Sequence, residues 1–133
     1  MKKISVKSSK KSEFIDVTDQ IQNLVNEQKM KQGYVLVYVP HTTAAVTINE
    51  GADPAVQSDI LLRLDKLVPA DVNYKHAEGN SDAHIKASLL GSSEDIIVED
   101  GKLQLGTWQH VFFFEGDGAR NRTMYVQLRS LSD

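Results

Sequence analysis

Two histidines, His76 and His84, stand eight positions apart with Glu78 and Asp82 between them, around a Gly79-Asn80-Ser81 turn. The spacing matches no standard zinc motif. Ser81 is expected to cap a helix running through Leu90, with Asp82 in its first turn and Gly91 just beyond its end. His84 would then lie near the positive end of the helix dipole, where protonation is disfavoured and a neutral imidazole is available to bind metal or accept a proton. Taken alone, the spacing favours two surface histidines beside a polar loop.

His41 adds a third imidazole. The chain has no cysteine, so a transition-metal site would have to use histidine and carboxylate. Three histidines with one open position form a recurring catalytic zinc arrangement. The competing reading of His41 is a strand-edge residue beside Pro40. Asn49 and Glu50 end the run that starts at His41, and offer an amide for orientation and a carboxylate base; a polar turn before Gly51 is the alternative. Gly79, Asn80 and Ser81 could hold a phosphate through free helix-start amides, and Arg120 and Arg122 could add bidentate contacts to the same anion. In the plainer alternative, the glycine permits a turn, the serine caps and the arginines are solvated. His110, in line with Trp108 and Phe112, reads as an aromatic-lined structural histidine.

The elements that must position these groups follow from apolar periodicity. Ile4 and Val6 alternate with polar residues, and Phe14 to Val17 forms a second short strand. Thr18 is expected to cap a helix starting at Asp19, with Ile21, Leu24 and Val25 on its inner face and Gly33 as a stop. Gly33 to Val39 is a near-continuous β-branched and aromatic run, which predicts a strand buried on both faces. Thr42 to Glu50 predicts another. Asp53-Pro54 opens a helix expected to reach Leu67 before Pro69 stops it, and Ala70 to Asn80 reads as a loop. Asp100-Gly101 predicts a tight hairpin between Asp95 to Glu99 and Lys102 to Leu105. Thr107 to Glu115 and Asn121 to Ser130 are expected to pair across Gly116 to Ala119 as a meander. The pattern predicts an α+β fold in one compact domain over residues 1–133, a mostly antiparallel sheet system covered by two or three helices. Phe112-Phe113-Phe114 requires both faces of its strand to be covered, one by helices and part of the other by a sheet or subunit.

The 133 residues carry 41% hydrophobic and 25% charged side chains, ordinary globular values that set aside disordered and membrane classes. A formal net charge of −3 gives no electrostatic reason to expect nucleic acid or an anionic membrane as partner. No apolar run follows Met1-Lys2-Lys3, and none reaches the roughly 20 residues of a membrane span, so a cytoplasmic soluble protein is expected.

Four separated motifs then carry a resemblance. His41-Thr-Thr-Ala-Ala-Val-Thr-Ile-Asn49-Glu50, His76-Ala-Glu-Gly-Asn-Ser-Asp-Ala-His84-Ile-Lys86, Gly106-Thr-Trp108-Gln109 and Asp117-Gly-Ala-Arg120-Asn-Arg122 together resemble the YjbQ-like family, also called the secondary thiamine-phosphate synthase family. Two positions depart from the pattern. His110 stands where a small residue is more usual, and Ala119 where proline is frequent.

The resemblance implies a homotrimer with sites near subunit boundaries. It also implies a weak or secondary thiamine-phosphate synthase activity, joining hydroxymethylpyrimidine diphosphate to thiazole phosphate. By motif position it makes His41, His76 and His84 the metal or catalytic histidines, with Asn49 and Glu50 beside them and Arg120 and Arg122 on the phosphate side. A divalent metal, zinc or magnesium, and a phosphorylated small molecule are the expected cofactor and partner. Two further readings use the same residues: metal-assisted hydrolysis of a small phosphorylated or acyl substrate, and a non-catalytic trimeric binder of a phosphorylated metabolite.

Overall fold

The computed structural model describes residues 1–131. Eight strands form two antiparallel sheets, joined by three helices in an α+β arrangement. The larger sheet has the order β1 (Lys2–Lys7), β8 (Asn121–Ser130), β3 (Gly33–Tyr38), β5 (Ser93–Glu99) and β6 (Lys102–Leu103). In the smaller sheet β7 (Gln109–Glu115) lies between β2 (Glu13–Asp16) and β4 (Ala44–Glu50). The two sheets face each other. Val35, Val37 and Val126 from the first and Val46, Val111 and Phe113 from the second share one apolar core with Ile21 and Val25 of helix α1 (Thr18–Glu27).

The opposite face of the smaller sheet explains the triple phenylalanine. Phe114 and Ala45 pack there against Leu61 and Leu64 of helix α2 (Pro54–Leu67) and Ala87 and Leu90 of helix α3 (Ser81–Leu90). Period-two alternation sends Phe113 into the core between the sheets and Phe114 under the helices. Asp53 caps α2 by accepting the Ala55 N–H at 2.9 Å, with Pro54 at the first helical position, as expected. Among the described residues no helix is long and apolar enough to cross a membrane.

Three expectations about elements need correction. β7 and β8 do not pair as a meander; each enters a different sheet. The intervening turn is packed against neighbours: the Gly116 N–H donates to the Thr43 carbonyl and the Gly118 N–H to the Lys11 carbonyl. A Cβ at Gly118 would meet the Lys10 carbonyl oxygen at 2.1 Å, so this close passage needs glycine. β3 is covered on one face only, with Tyr34 and Tyr38 exposed, because among the described residues no helix or second sheet covers that outer face.

Helix α1 also begins and ends differently. Thr18 is its first residue; Asp16 accepts both the Thr18 N–H at 3.0 Å and its hydroxyl at 2.6 Å. The helix stops before Lys29, which takes the left-handed conformation (φ 53°) while the Met30 N–H closes back on the Val25 carbonyl. Left-handed backbone costs a residue with a Cβ about 1–2 kcal/mol. A cation at a helix C-terminus returns about 0.3–1 kcal/mol of that.

Candidate functional site

Three elements converge at one end of the smaller sheet. His41 follows Pro40 in the β3–β4 connection, His76 lies in the loop after α2, and His84 stands one turn into α3. The rings of His76 and His84 meet edge to face, with centroids 5.2 Å apart. With Asn80, Arg120 and Arg122, all three histidines line one open cleft of about 440 Å³. The geometry therefore brings together His41, His76, His84, Asn80, Arg120 and Arg122 from segments remote in the chain.

His41 is held between backbone groups. Its Nε2 lies 3.1 Å from both the carbonyl oxygen and the amide nitrogen of Thr123 in β8. Burial, and then the Arg122 guanidinium, push its pKa below the ordinary 6.5, against the smaller opposing pull of Thr123 and Glu115. His41 is thus neutral near pH 7 and able to accept a proton. In the tautomer that donates from Nε2 to the Thr123 carbonyl, Nδ1 keeps its lone pair.

The two arginines differ in what they have left to offer. Arg122 is buried and forked onto fully buried Glu115, its Nε donating to Oε1 at 2.9 Å and its Nη2 to Oε2 at 2.5 Å. Nη2 also donates to Thr43 Oγ1 at 2.8 Å, and the Ser8 hydroxyl donates to Glu115 Oε1 at 2.6 Å. Burial alone would raise the Glu115 carboxyl, but bonds from Arg122, Ser8 and the Asp117 N–H hold it below the ordinary range. Arg122 thus builds the cleft wall behind His41, its charge matched by Glu115.

Arg120, by contrast, has a half-exposed side chain. Its Nε donates to the Asp117 carbonyl and its Nη2 to Asp117 Oδ2, both at 2.8 Å. Asp117 Oδ2 also accepts from Asn80 Nδ2 at 2.9 Å, which ties the start of α3 to the β7–β8 turn. Burial would raise the Asp117 carboxyl; the bonds from Asn80 and Arg120 outweigh it and keep it low. Two bonds to Asp117 leave the rest of the five guanidinium donors of Arg120 for a ligand.

Other expected site residues lie differently. Asn80, not Ser81, is the cap residue of α3, and its side chain serves Asp117 instead of a helix amide. Gly79 forms a left-handed turn (φ 77°) ahead of it, and Ser81 begins the helix half-buried. Asn49 and Glu50 are at the far end of β4, paired with His110 and Gln109. They are the last two of the seven residues of β4, roughly 17–20 Å from its His41 end. His110 stacks on Phe112 and its Nδ1 meets Asp16 Oδ2 at 2.6 Å, outside the cleft. Among the described residues no three histidine or carboxylate side chains stand close enough to hold one metal ion.

Reading the residues singly missed Glu115, Asp117, Thr43 and Ser8. A glutamate closing the Phe112-Phe113-Phe114 run was one available signal, since a charge there must be paired if the strand is buried. Asp117 lies within the last of the four motifs, three residues before Arg120.

Comparison with known proteins places this geometry among relatives. The family model "UPF0047 protein YjbQ-like" matches residues 2–130. A UPF0047 protein of Methanocaldococcus jannaschii is 52% identical over 95% of this chain and 91% of its own, and YugU of Bacillus subtilis is 44% identical over 96% and 98%. A crystal structure of a YjbQ/UPF0047 protein from Clostridium acetobutylicum superposes with a TM-score of 0.95 at 51% identity, covering 97% of this chain and 100% of that one. These relatives overturn one expectation. They are designated UPF0047 proteins, and a structural neighbour from Sulfolobus solfataricus is described as being of unknown function, so none brings thiamine-phosphate synthase chemistry with it. The shared sequence fixes a family and a residue pattern, and the synthase assignment is withdrawn.

Proposed function

This chain belongs to the YjbQ-like UPF0047 family, and on that premise we propose that the histidine cleft takes a small phosphorylated metabolite and moves a proton on it. The supporting observation is that His41, His76, His84 and Arg120 face one cavity of about 440 Å³, a size suited to a metabolite. Arg120, braced by Asp117, offers a planar set of N–H donors to phosphate oxygens. His76 and His84 supply ring nitrogens beside it. Neutral His41 is the proton acceptor.

A homotrimer belongs to the same proposal. Asn49 and Glu50 are too far along β4 to join the cleft of their own chain. In an assembly with sites shared between subunits, a neighbouring copy brings them to the cleft. Zinc or magnesium would need His41, His76 and His84 to draw together; elemental analysis of the purified protein tests that expectation separately.

Calorimetric titration with glycerol 3-phosphate at low salt tests the reading. Saturable binding is expected, weakened about tenfold or more by Arg120→Ala and by His84→Ala, a loss of about 1.4 kcal/mol each. Binding left unchanged in both variants would overturn it.

A further inference from the structure

A second cavity, of about 660 Å³, lies between the C-terminal end of α1 and the β5–β6 hairpin tip. It shares no lining residue with the histidine cleft. Its floor is apolar, formed by Val25, Met30 and Leu103. Three lysines stand around it, Lys29, Lys31 and Lys102, against one carboxylate, Asp100. None of the three is paired with a carboxylate among the described residues.

The walls are tied in place. Gln22 Nε2 donates to the Gly101 carbonyl at 2.9 Å, and Gln22 Oε1 accepts the Leu103 N–H at 3.0 Å. The Gly101 N–H donates to the Lys31 carbonyl at 3.0 Å. Helix and hairpin tip are thus locked together, so a ligand would enter a preformed groove. The turn also leaves room for a cation. A Cβ at Gly101 would lie 3.9 Å from Lys31 Nζ, which places that amine directly over the hairpin tip.

Charge and backbone point the same way. The chain carries a net charge of −3, yet three unpaired cations gather at one groove. Lys29 adopts φ 53°, where glycine or asparagine would sit with less strain. Its charge complements the end of α1, but that accounts for neither Lys31, two residues further along the same connection, nor Lys102, which the β5–β6 hairpin brings in. Asp100 has the positive φ expected of an Asp-Gly turn and needs no other explanation.

We propose that the groove between α1 and the β5–β6 tip binds a multiply charged small organic anion, held by Lys29, Lys31 and Lys102 over the Val25, Met30 and Leu103 floor. The apolar floor accommodates the carbon skeleton of the anion and the lysines its charges. This site is independent of the histidine cleft, so either can fail without the other.

Amide and lysine NMR of the full chain, titrated separately with citrate and with fructose 1,6-bisphosphate, tests the proposal. Resonances of residues 22–31 and 100–103 should move saturably with at least one anion, and less at high salt. A response to citrate alone identifies a carboxylate ligand, and to fructose 1,6-bisphosphate alone a phosphorylated one. Lys29→Gly should weaken that binding at least fivefold while leaving the melting temperature unchanged or higher, since glycine relieves the backbone. Lys31→Gln with Lys102→Gln should weaken it further, and Arg120→Ala should leave it intact. Shifts spread over lysines throughout the molecule, or affinity unchanged in both lysine variants, would overturn the proposal.

Discussion

Arg122 and Glu115 carry the highest energetic stakes of any side-chain pair in the cleft wall. Glu115 is fully buried, so removing its guanidinium partner strands a charge that water cannot reach. Arg122→Met should lower unfolding free energy by about 3–5 kcal/mol in urea denaturation. The pH dependence has a defined sign. The folded Glu115 carboxyl titrates below its ordinary 4.5, so its contribution is fully present above that pH and is lost as pH falls through the folded value. His41 acts in the same direction: its folded value lies below 6.5, so protonation below that pH favours unfolding. Urea midpoints should therefore fall on acidification from pH 6.5, and His41→Asn should flatten the upper part of that decline. Sequence reasoning picked out the histidines and both arginines that line the cleft. It could not find the division of labour between the arginines, because that depends on Glu115 and Asp117 being folded against them.

At the scale of elements, helix α2 and the β5–β6 turn were the most readable features. Asp53-Pro54 and Pro69 bracket α2, and Asp100-Gly101 sets the hairpin, because capping and turn preferences are local. The separation of β7 from β8 was hidden, since an apolar strand followed by glycines reads as a hairpin whatever sheet each strand joins. Gly51 shows how tightly the smaller sheet is fitted. A Cβ there would lie 2.1 Å from the ring of His110, itself held by Asp16. Gly51→Ala should cost about 1–3 kcal/mol by overpacking, and adding His110→Ala should recover most of it. Helix α2 makes a different prediction. It has no buried residue, whereas α1 buries Ile21 and Val25 and α3 buries Ala83 and Ala87. Its amides should exchange with deuterium faster than those of α1 and α3; protection equal to α1 in the isolated subunit would contradict this packing.

For the whole molecule, the uncovered outer face of the larger sheet and the remoteness of Asn49 and Glu50 both bear on assembly. Light scattering should give the mass of three chains. If sites are shared, Glu50→Ala and His84→Ala chains should each bind glycerol 3-phosphate weakly alone, and mixed assemblies should regain part of that binding at sites formed from the two unmutated surfaces. The α+β class and the antiparallel ladders followed from the residue pattern, but contacts between copies leave no periodic signature within one chain. The central claim is that His41, His76, His84 and Arg120 serve one anion. Histidine side-chain NMR during titration with inorganic phosphate tests it most directly. Ring resonances of His41, His76 and His84 should move together along one saturation curve, with His110 unmoved. Movement of His110 equal to theirs, or three unrelated curves, would contradict a single anion cleft.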